Sequence, residues 1–357
     1  MSRVTLSLES AQQEIQRFKK QSAQTLEVFE KLSDAQIGFM PRDALTEIEG
    51  VTLFKYQSRN KTSEAIPVLV VYALVNRPEM VDLHRGRSFV ESLVAKGYEV
   101  YLIDWGHAST DNTTLSLEDY VLRYLDFCVD FLREYLARER VSLLGVCQGG
   151  TFSICYASLF PNKVESLITA VTPVDFHTSD DMLSHLLRQI DIENLAEASG
   201  DVSGNFLNTL FLCLKPYRLM QQKYIRFIER INDSDALNTF FSMEKWIFDS
   251  PVIPPRVSEE FVENFYQGNK LIKGNLFIGG REVETQNLTM PILNVMASDD
   301  HLVPAAASQA LAFIAPNSAY TEYSIPGGHV GIFVTLSANS ILSDKVDTWL
   351  RSLGFAK

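Results

Sequence analysis

Val141-Ser142-Leu143-Leu144-Gly145-Val146-Cys147-Gln148-Gly149-Gly150 is the stretch that decides the fold. Val141 to Leu144 is a short apolar run that reads as a buried strand, and Thr151 to Phe160 continues as a helix. Between them, a cysteine stands at the centre of a glycine-flanked pattern that normally holds a serine nucleophile. On such a strand-turn-helix elbow the nucleophile takes a strained backbone. Gly145 and Gly149 remove the Cβ atoms that would collide with the neighbouring strand or helix. Cys147 then projects from the sheet edge beside the positive end of the helix dipole, which favours the thiolate, the attacking form of cysteine. A buried, inert cysteine in a glycine turn is the competing interpretation, and the strand-turn-helix context speaks against it.

Two later segments supply partners. Pro291 to Ala297 reads as a strand ending in Ser298-Asp299-Asp300-His301-Leu302-Val303-Pro304, which sets acids at a carboxyl end, where catalytic groups collect in open α/β sheets. Tyr320 to Ile325 is a further short strand, followed by Pro326-Gly327-Gly328-His329. The chain order nucleophile, acid, histidine is that of the α/β-hydrolase triad. In that arrangement His329 takes the thiol proton of Cys147 and returns a proton to the leaving group, while Asp300 holds the imidazole. Asp300 is preferred because it directly precedes the His-Leu-Val-Pro turn, but spacing alone does not separate it from Asp299. His301 reads as a loop residue bonded to backbone. The oxyanion needs two backbone donors. One is expected from Gln148, after the nucleophile; the other, from the loop after the third strand Ile66 to Tyr72, is assigned to Val75.

With these residues in view, the chain resembles the catalytic subunit of class III polyhydroxyalkanoate synthases, the two-subunit type that polymerises 3-hydroxybutyryl-CoA. The resemblance spans most of the sequence. It runs through Val71 to Pro78, Val100 to Gly106, Leu144 to Gly150, Val171 to Phe176, Met243 to Pro251, Asp300 to Pro304 and Pro326 to Ile332. Class IV enzymes share much of this pattern; Gln148 and Asn76-Arg77 look more like class III, and the N-terminal segment matches least. The resemblance implies a (3R)-hydroxyacyl-CoA substrate, CoA as product, no further cofactor, a second non-catalytic subunit, a homo-oligomer, and association with polymer granules. A cysteine suits this chemistry. Transfer from CoA to Cys147 exchanges one thioester for another, and attack by a hydroxyl then runs downhill to an oxygen ester. Asp300 either orients His329 or helps to deprotonate that hydroxyl. A thioesterase or lipase-like hydrolase is the alternative enzyme, and a silent hydrolase scaffold that only binds a partner is the third reading.

The rest of the chain sets bounds. At 357 residues and 46% hydrophobic content there is material for one large α/β domain with an insertion. The first 20 residues lack a basic segment followed by an apolar stretch, and no run is long enough to span a bilayer, so a cytoplasmic protein without a transmembrane segment is expected. Of the four cysteines, Cys128, Cys155 and Cys213 read as core residues, and the six histidines show no metal-ligand spacing, so no metal is expected. The net charge of -12 and the lack of a basic block argue against nucleic acid. CoA phosphates would then need local cations, for which Arg77, Lys245 and Lys273 are candidates.

Apolar spacing over about 5–34 predicts an amphipathic N-terminal helix, within a segment 1–40. Strand-like Val51 to Tyr56, a helix over Arg87 to Lys96, a strand over Tyr98 to Ile103 and another over Lys163 to Val171 follow. This alternation predicts an α/β-hydrolase fold with a mainly parallel, doubly covered sheet, built from 41–173 and 288–357. The interval 174–287 is too long for a loop and reads as an inserted helical cap, with apolar clusters from Phe206 to Leu212 and from Tyr217 to Ile228. Met243 to Pro251, with Trp246 and Phe248, either lines the acyl route or closes the cap. Ile341 to Leu353 predicts a final helix over one sheet face.

Overall fold

In the computed structural model, which describes residues 37–58, 66–106, 114–190, 223–230 and 232–354 and single positions at 16, 211 and 214, eight strands form one sheet. They are β1 (Arg42–Ile48), β2 (Val51–Tyr56), β3 (Pro67–Val71), β4 (Glu99–Asp104), β5 (Val141–Val146), β6 (Val164–Ala170), β7 (Ile292–Ala297) and β8 (Tyr320–Ile325). Their spatial order is β1-β2-β4-β3-β5-β6-β7-β8. β2 pairs antiparallel with both of its neighbours and every later pairing is parallel. This is the mainly parallel α/β-hydrolase sheet that the sequence predicts.

Alternation along the central strands explains why helices cover both faces. Leu69 and Val71 of β3 and Leu143 of β5 join one core with Val129 and Phe152 from helices α2 (Leu125–Tyr135) and α3 (Gln148–Leu159). Val68, Val70 and Leu144 point the other way, into a core with Leu93 of α1 (Phe89–Ala95) and Val346 of the final helix, which runs over Leu336–Ser352. A strand buried on both faces must be apolar at nearly every position, as β3 and β5 are. The Ser142 side chain of β5 is accommodated by the Ser166 hydroxyl, which donates to it at 2.9 Å.

Several boundaries shift for local reasons. The elbow helix starts at Gln148 rather than Thr151, directly after Cys147. α1 starts at Phe89 because the Ser88 side chain caps it, accepting from the Glu91 N–H at 2.8 Å, and Arg87 and Ser88 instead form a short bridge with Asp82–His84. The last helix begins at Leu336, five residues before Ile341. β1 is an edge strand that apolar patterning does not reveal.

Between β6 and β7 lie helices at Met182–Leu187, Lys223–Glu229, α4 (Ser234–Phe248) and Pro255–Phe261. Ile253, Val257, Phe265, Leu276 and Leu288 from this interval enter the main core, so it builds the body as well as covering the site. α4 is fastened at its start by Arg87 to Asp235 and by His84 Nε2 to Thr239 Oγ1 at 3.0 Å. Of the expected apolar clusters, Phe206, Leu207, Leu210, Leu212, Tyr217, Leu219 and Met220 lie outside the described residues, as does Cys213. The helix expected over 5–34 lies outside them too, apart from one helical position at 16.

Candidate active site

The site is assembled by the carboxyl ends of β5, β7 and β8. Cys147 follows β5 with φ 53° and ψ -125°, a backbone strain that side-chain-bearing residues rarely accept and that costs about 1–3 kcal/mol. Its N–H donates to the Ala170 carbonyl of β6 at 2.9 Å, which fixes the elbow to the sheet. A Cβ on Gly145 would lie 2.4 Å from Gly150 Cα, and one on Gly149 would lie 2.1 Å from the Val71 carbonyl oxygen. The elbow helix therefore presses against the end of β3, and this contact brings the Ala73-Leu74-Val75-Asn76 loop to the nucleophile. Gly149→Ala is expected to destabilise the fold by at least about 2 kcal/mol, because its neighbours are backbone atoms that cannot rotate away. A urea unfolding midpoint equal to that of the unaltered protein would show that β3 gives way at little cost.

The acid and histidine loops are joined directly. The Asp299 N–H donates to the Gly327 carbonyl at 2.8 Å, and His329 Nδ1 lies 2.8 Å from Asp300 Oδ2. Asp300 Oδ1 accepts from the Leu302 and Val303 N–H groups at 2.9 and 3.0 Å, and its side chain is 0% exposed. Asp299, by contrast, is exposed. The structure thus separates the two acids that spacing left open, and it is Asp300 that meets His329.

Nδ1 of His329 is engaged by Asp300, which leaves Nε2 as the ring nitrogen for Cys147, and both residues border one cavity. Burial works against the charged form of His329, yet the negative charges of Asp300 and Cys147 and the hydrogen bond to Asp300 hold the imidazole pKa well above the ordinary value. The buried thiols of Cys128 and Cys155 are pushed up to about 12 by desolvation, as inert core cysteines should be.

The expected oxyanion donors belong to the two segments that meet at Cys147, the elbow helix and the loop after β3. Gln148 is the first residue of α3, so its N–H has no intrahelical partner. Val75 borders the same cavity as Cys147, Gln148 and His329. That cavity measures about 540 Å³, within the range of small-molecule sites. Its walls include Leu183, Leu187, Trp246 and Val262, and His301 also borders it. Met243 and Ile247 line it beside Trp246, whereas Phe248 turns outward and is exposed. Tyr72 and Tyr266 also reach it; burial first, then the Cys147 charge for Tyr72 and the Asp181 and Cys147 charges for Tyr266, hold the phenols well above their ordinary pKa.

The candidate cations are engaged otherwise. Arg77 binds the Asp249 carboxylate at 2.8 Å and the Asp249 carbonyl at 3.0 Å, which ties the loop after β3 to the end of α4. Lys273 donates to the Gly268 carbonyl at 2.7 Å and Lys245 has a polar or electrostatic partner as well. The clamp between Arg77 and Asp249 joins residues far apart in sequence, and motif reading had no signal for it. Among the described residues, no group of three or more His, Cys, Asp or Glu side chains is arranged to hold a metal ion, and no helix is long and apolar enough to cross a membrane.

This geometry agrees with what the chain is similar to. Residues 66–335 match the alpha/beta hydrolase fold family. A monoacylglycerol lipase from Paleococcus ferrophilus superposes with a TM-score of 0.52 at 17% identity, covering 85% of this chain and 98% of the lipase, a likeness of fold alone. The poly(3-hydroxyalkanoate) polymerase subunit PhaC of Allochromatium vinosum is 40% identical over 341 residues, covering 95% of this chain and 96% of the relative. The corresponding subunit of Synechocystis sp. is 46% identical over 324 residues, covering 89% and 86%. A chain that shares this identity over nearly its whole length, on the hydrolase sheet described above, belongs to the poly(3-hydroxyalkanoate) polymerase PhaC family.

Proposed function

We propose that this enzyme is an acyltransferase that polymerises (3R)-hydroxyacyl-CoA, 3-hydroxybutyryl-CoA foremost, into polyhydroxyalkanoate through a covalent thioester on Cys147. The observation that carries the reading is Cys147 and the Asp300-bonded His329 together at one apolar cavity, in a chain of this family. The Cys147 thiolate attacks the acyl carbon; its carbonyl oxygen takes up charge and is met by the N–H groups of Gln148 and Val75. The bond to the CoA sulfur breaks, and the proton on His329 Nε2 goes to that sulfur. A hydroxyl of a second acyl unit then attacks the Cys147 thioester. Its proton passes to His329, an oxygen ester forms, and the thiolate and imidazolium are restored. Asp300 orients the imidazole in this scheme. Its buried carboxylate already spends one oxygen on two backbone donors and the other on His329, which favours orientation over contact with substrate.

Water must be kept from the acyl enzyme, or a free hydroxy acid is released. Leu187 and Val262 stand in the cavity wall and are nearly fully buried. Leu187→Asn and Val262→Asn are expected to raise the ratio of free 3-hydroxybutyrate to polymer severalfold, by admitting water. Because this is a product ratio, it does not depend on how much of each variant is folded. An unchanged ratio in both variants removes the apolar wall from the mechanism.

The class III, two-subunit type is the form we assign, because its PhaC relatives are named as subunits and Gln148 and Asn76-Arg77 carry the resemblance. A non-catalytic second subunit, a homo-oligomer and cytoplasmic polymer granules complete the proposal, with no cofactor beyond the CoA thioester. Exposed Met182, Leu186, Ile225 and Phe248 on the segments over the site are apolar surface that such contacts would cover. The test is to give the purified chain (3R)-3-hydroxybutyryl-CoA, with and without its candidate partner, and to follow CoA and the acyl group. Insoluble polyester with CoA release supports the synthase, and dependence on the partner supports the two-subunit type. CoA release with free hydroxy acid alone assigns a thioesterase instead.

A further inference from the structure

Gln148 does more than present a backbone N–H. Its side-chain Oε1 accepts the Leu74 N–H at 3.0 Å, across 74 residues of sequence. A backbone N–H can only donate, so this bond fixes which way round the carboxamide lies, with Oε1 on Leu74. Leu74 is buried and immediately precedes Val75.

The rest of this loop is anchored from elsewhere. Trp105 Nε1 donates to the Tyr72 carbonyl at 2.9 Å, and Trp246 Nε1 donates to the Arg77 carbonyl at 2.7 Å. Asn76 has a left-handed backbone, φ 63°, and its side-chain oxygen accepts from the Ser250 hydroxyl. The Ala73-Leu74 peptide, one before the peptide that carries the Val75 N–H, is instead held from the elbow itself, by the residue that directly follows the nucleophile.

We propose that the Gln148 side chain is a positioning residue. Its carboxamide fixes the Leu74-Val75 segment so that the Val75 N–H and the Gln148 N–H converge on one acyl oxygen. This rests on the oxyanion assignment above. One residue thereby supplies one donor and aims the other, and both move with Cys147 as a single unit. Placement within a few tenths of an ångström matters because a donor helps only where the charge develops, and misplacement by about 1 Å can cost about 100-fold.

Gln148→Met keeps the length of the side chain and removes the acceptor. CoA release from (3R)-3-hydroxybutyryl-CoA in the acylation phase is expected to fall about 10- to 100-fold in kcat, with KM within a few-fold. Alkylation of Cys147 by iodoacetamide develops no oxyanion, and its rate is expected to stay within about twofold. The two rates separate positioning from general damage to the elbow. An equal fall in both, a fall in neither, or a change in KM with kcat kept overturns the proposal, the last by making Gln148 a direct substrate contact. Hydrogen exchange at the Leu74 amide tests the unaltered chain even if the variant does not fold: protection is expected, and exchange at the rate of an open loop overturns the proposal. Cys147→Ala serves as the separate control. If it retains CoA release, the thioester reading fails whatever Gln148 does; if it is inactive, the Gln148 results judge the positioning role alone.

Discussion

Cys147→Ala is expected to abolish CoA release from (3R)-3-hydroxybutyryl-CoA, a loss of about 10⁴-fold or more, because removing a nucleophile disables the whole triad at once. Folding should survive: the side chain is small and faces the cavity, and alanine meets the same backbone strain as cysteine does at φ 53°. Cys147→Ser is the more instructive replacement. It keeps the elbow and offers an oxygen to His329, but the first transfer then forms the stable ester that belongs at the end of the cycle. The serine enzyme is expected to accumulate as an acylated protein, visible as a mass increase of one acyl unit, with little polymer. Polymer formed by the alanine variant at the original rate would dismiss Cys147 as the acyl carrier. Polymer formed by the serine variant at that rate would dismiss the thioester step as the reason for a cysteine.

The elbow was legible because every residue in it is locally constrained. Buried strand, strained nucleophile, close glycines and helix start must occur in that order, so the sequence has almost no freedom there. His329 was legible for a similar reason, since two glycines before a histidine at a strand end leave little else for the segment to do. The choice between Asp299 and Asp300 was not, because both follow β7 and only the turn decides which side chain goes inward. The turn made by Leu302 and Val303 does so, by giving Asp300 two N–H donors.

β1 was missed because Arg42–Ile48 is an edge strand with a bulge between Ala44 and Thr46, and most of its side chains keep some contact with water. Its signal lay in the turn. Glu49 and Gly50 both have positive φ, 50° and 87°, and join paired Ile48 and Val51 as a two-residue hairpin does. The Gln148 carboxamide and the clamp of Arg77 on Asp249 were out of reach for another reason. Each spans a separation in sequence that no period or motif encodes, and the Gln148 bond depends on the close contact of Gly149 with Val71, which brings the loop after β3 to the elbow.

Asp300→Asn tests the remaining division of labour and should be nearly as damaging as loss of the nucleophile. The N–H groups of Leu302 and Val303 still need an acceptor, so the asparagine oxygen stays where Oδ1 is now, and its NH₂ group turns to His329 Nδ1. That reverses the bond: Nδ1 must accept, the proton moves to Nε2, and the imidazole can no longer take a proton from Cys147. A fall in kcat of about 10⁴-fold is expected, as when the acid of such a triad becomes an amide. The pH dependence should change too. Burial opposes the imidazolium, and the Asp300 charge is the largest of the influences that outweigh it. The imidazolium form of His329 therefore persists above the ordinary histidine range in the unaltered protein and is lost as pH rises through the elevated histidine pKa. Without the Asp300 charge that pKa falls, so at neutral pH the imidazolium is lost and iodoacetamide alkylation of Cys147 is expected to slow. Alkylation and the first turnover would both remain normal if Asp300 acted instead on the substrate hydroxyl, since that hydroxyl enters only after CoA has left. A full first release of CoA followed by arrested chain growth would thus move Asp300 from holding the imidazole to activating the second nucleophile.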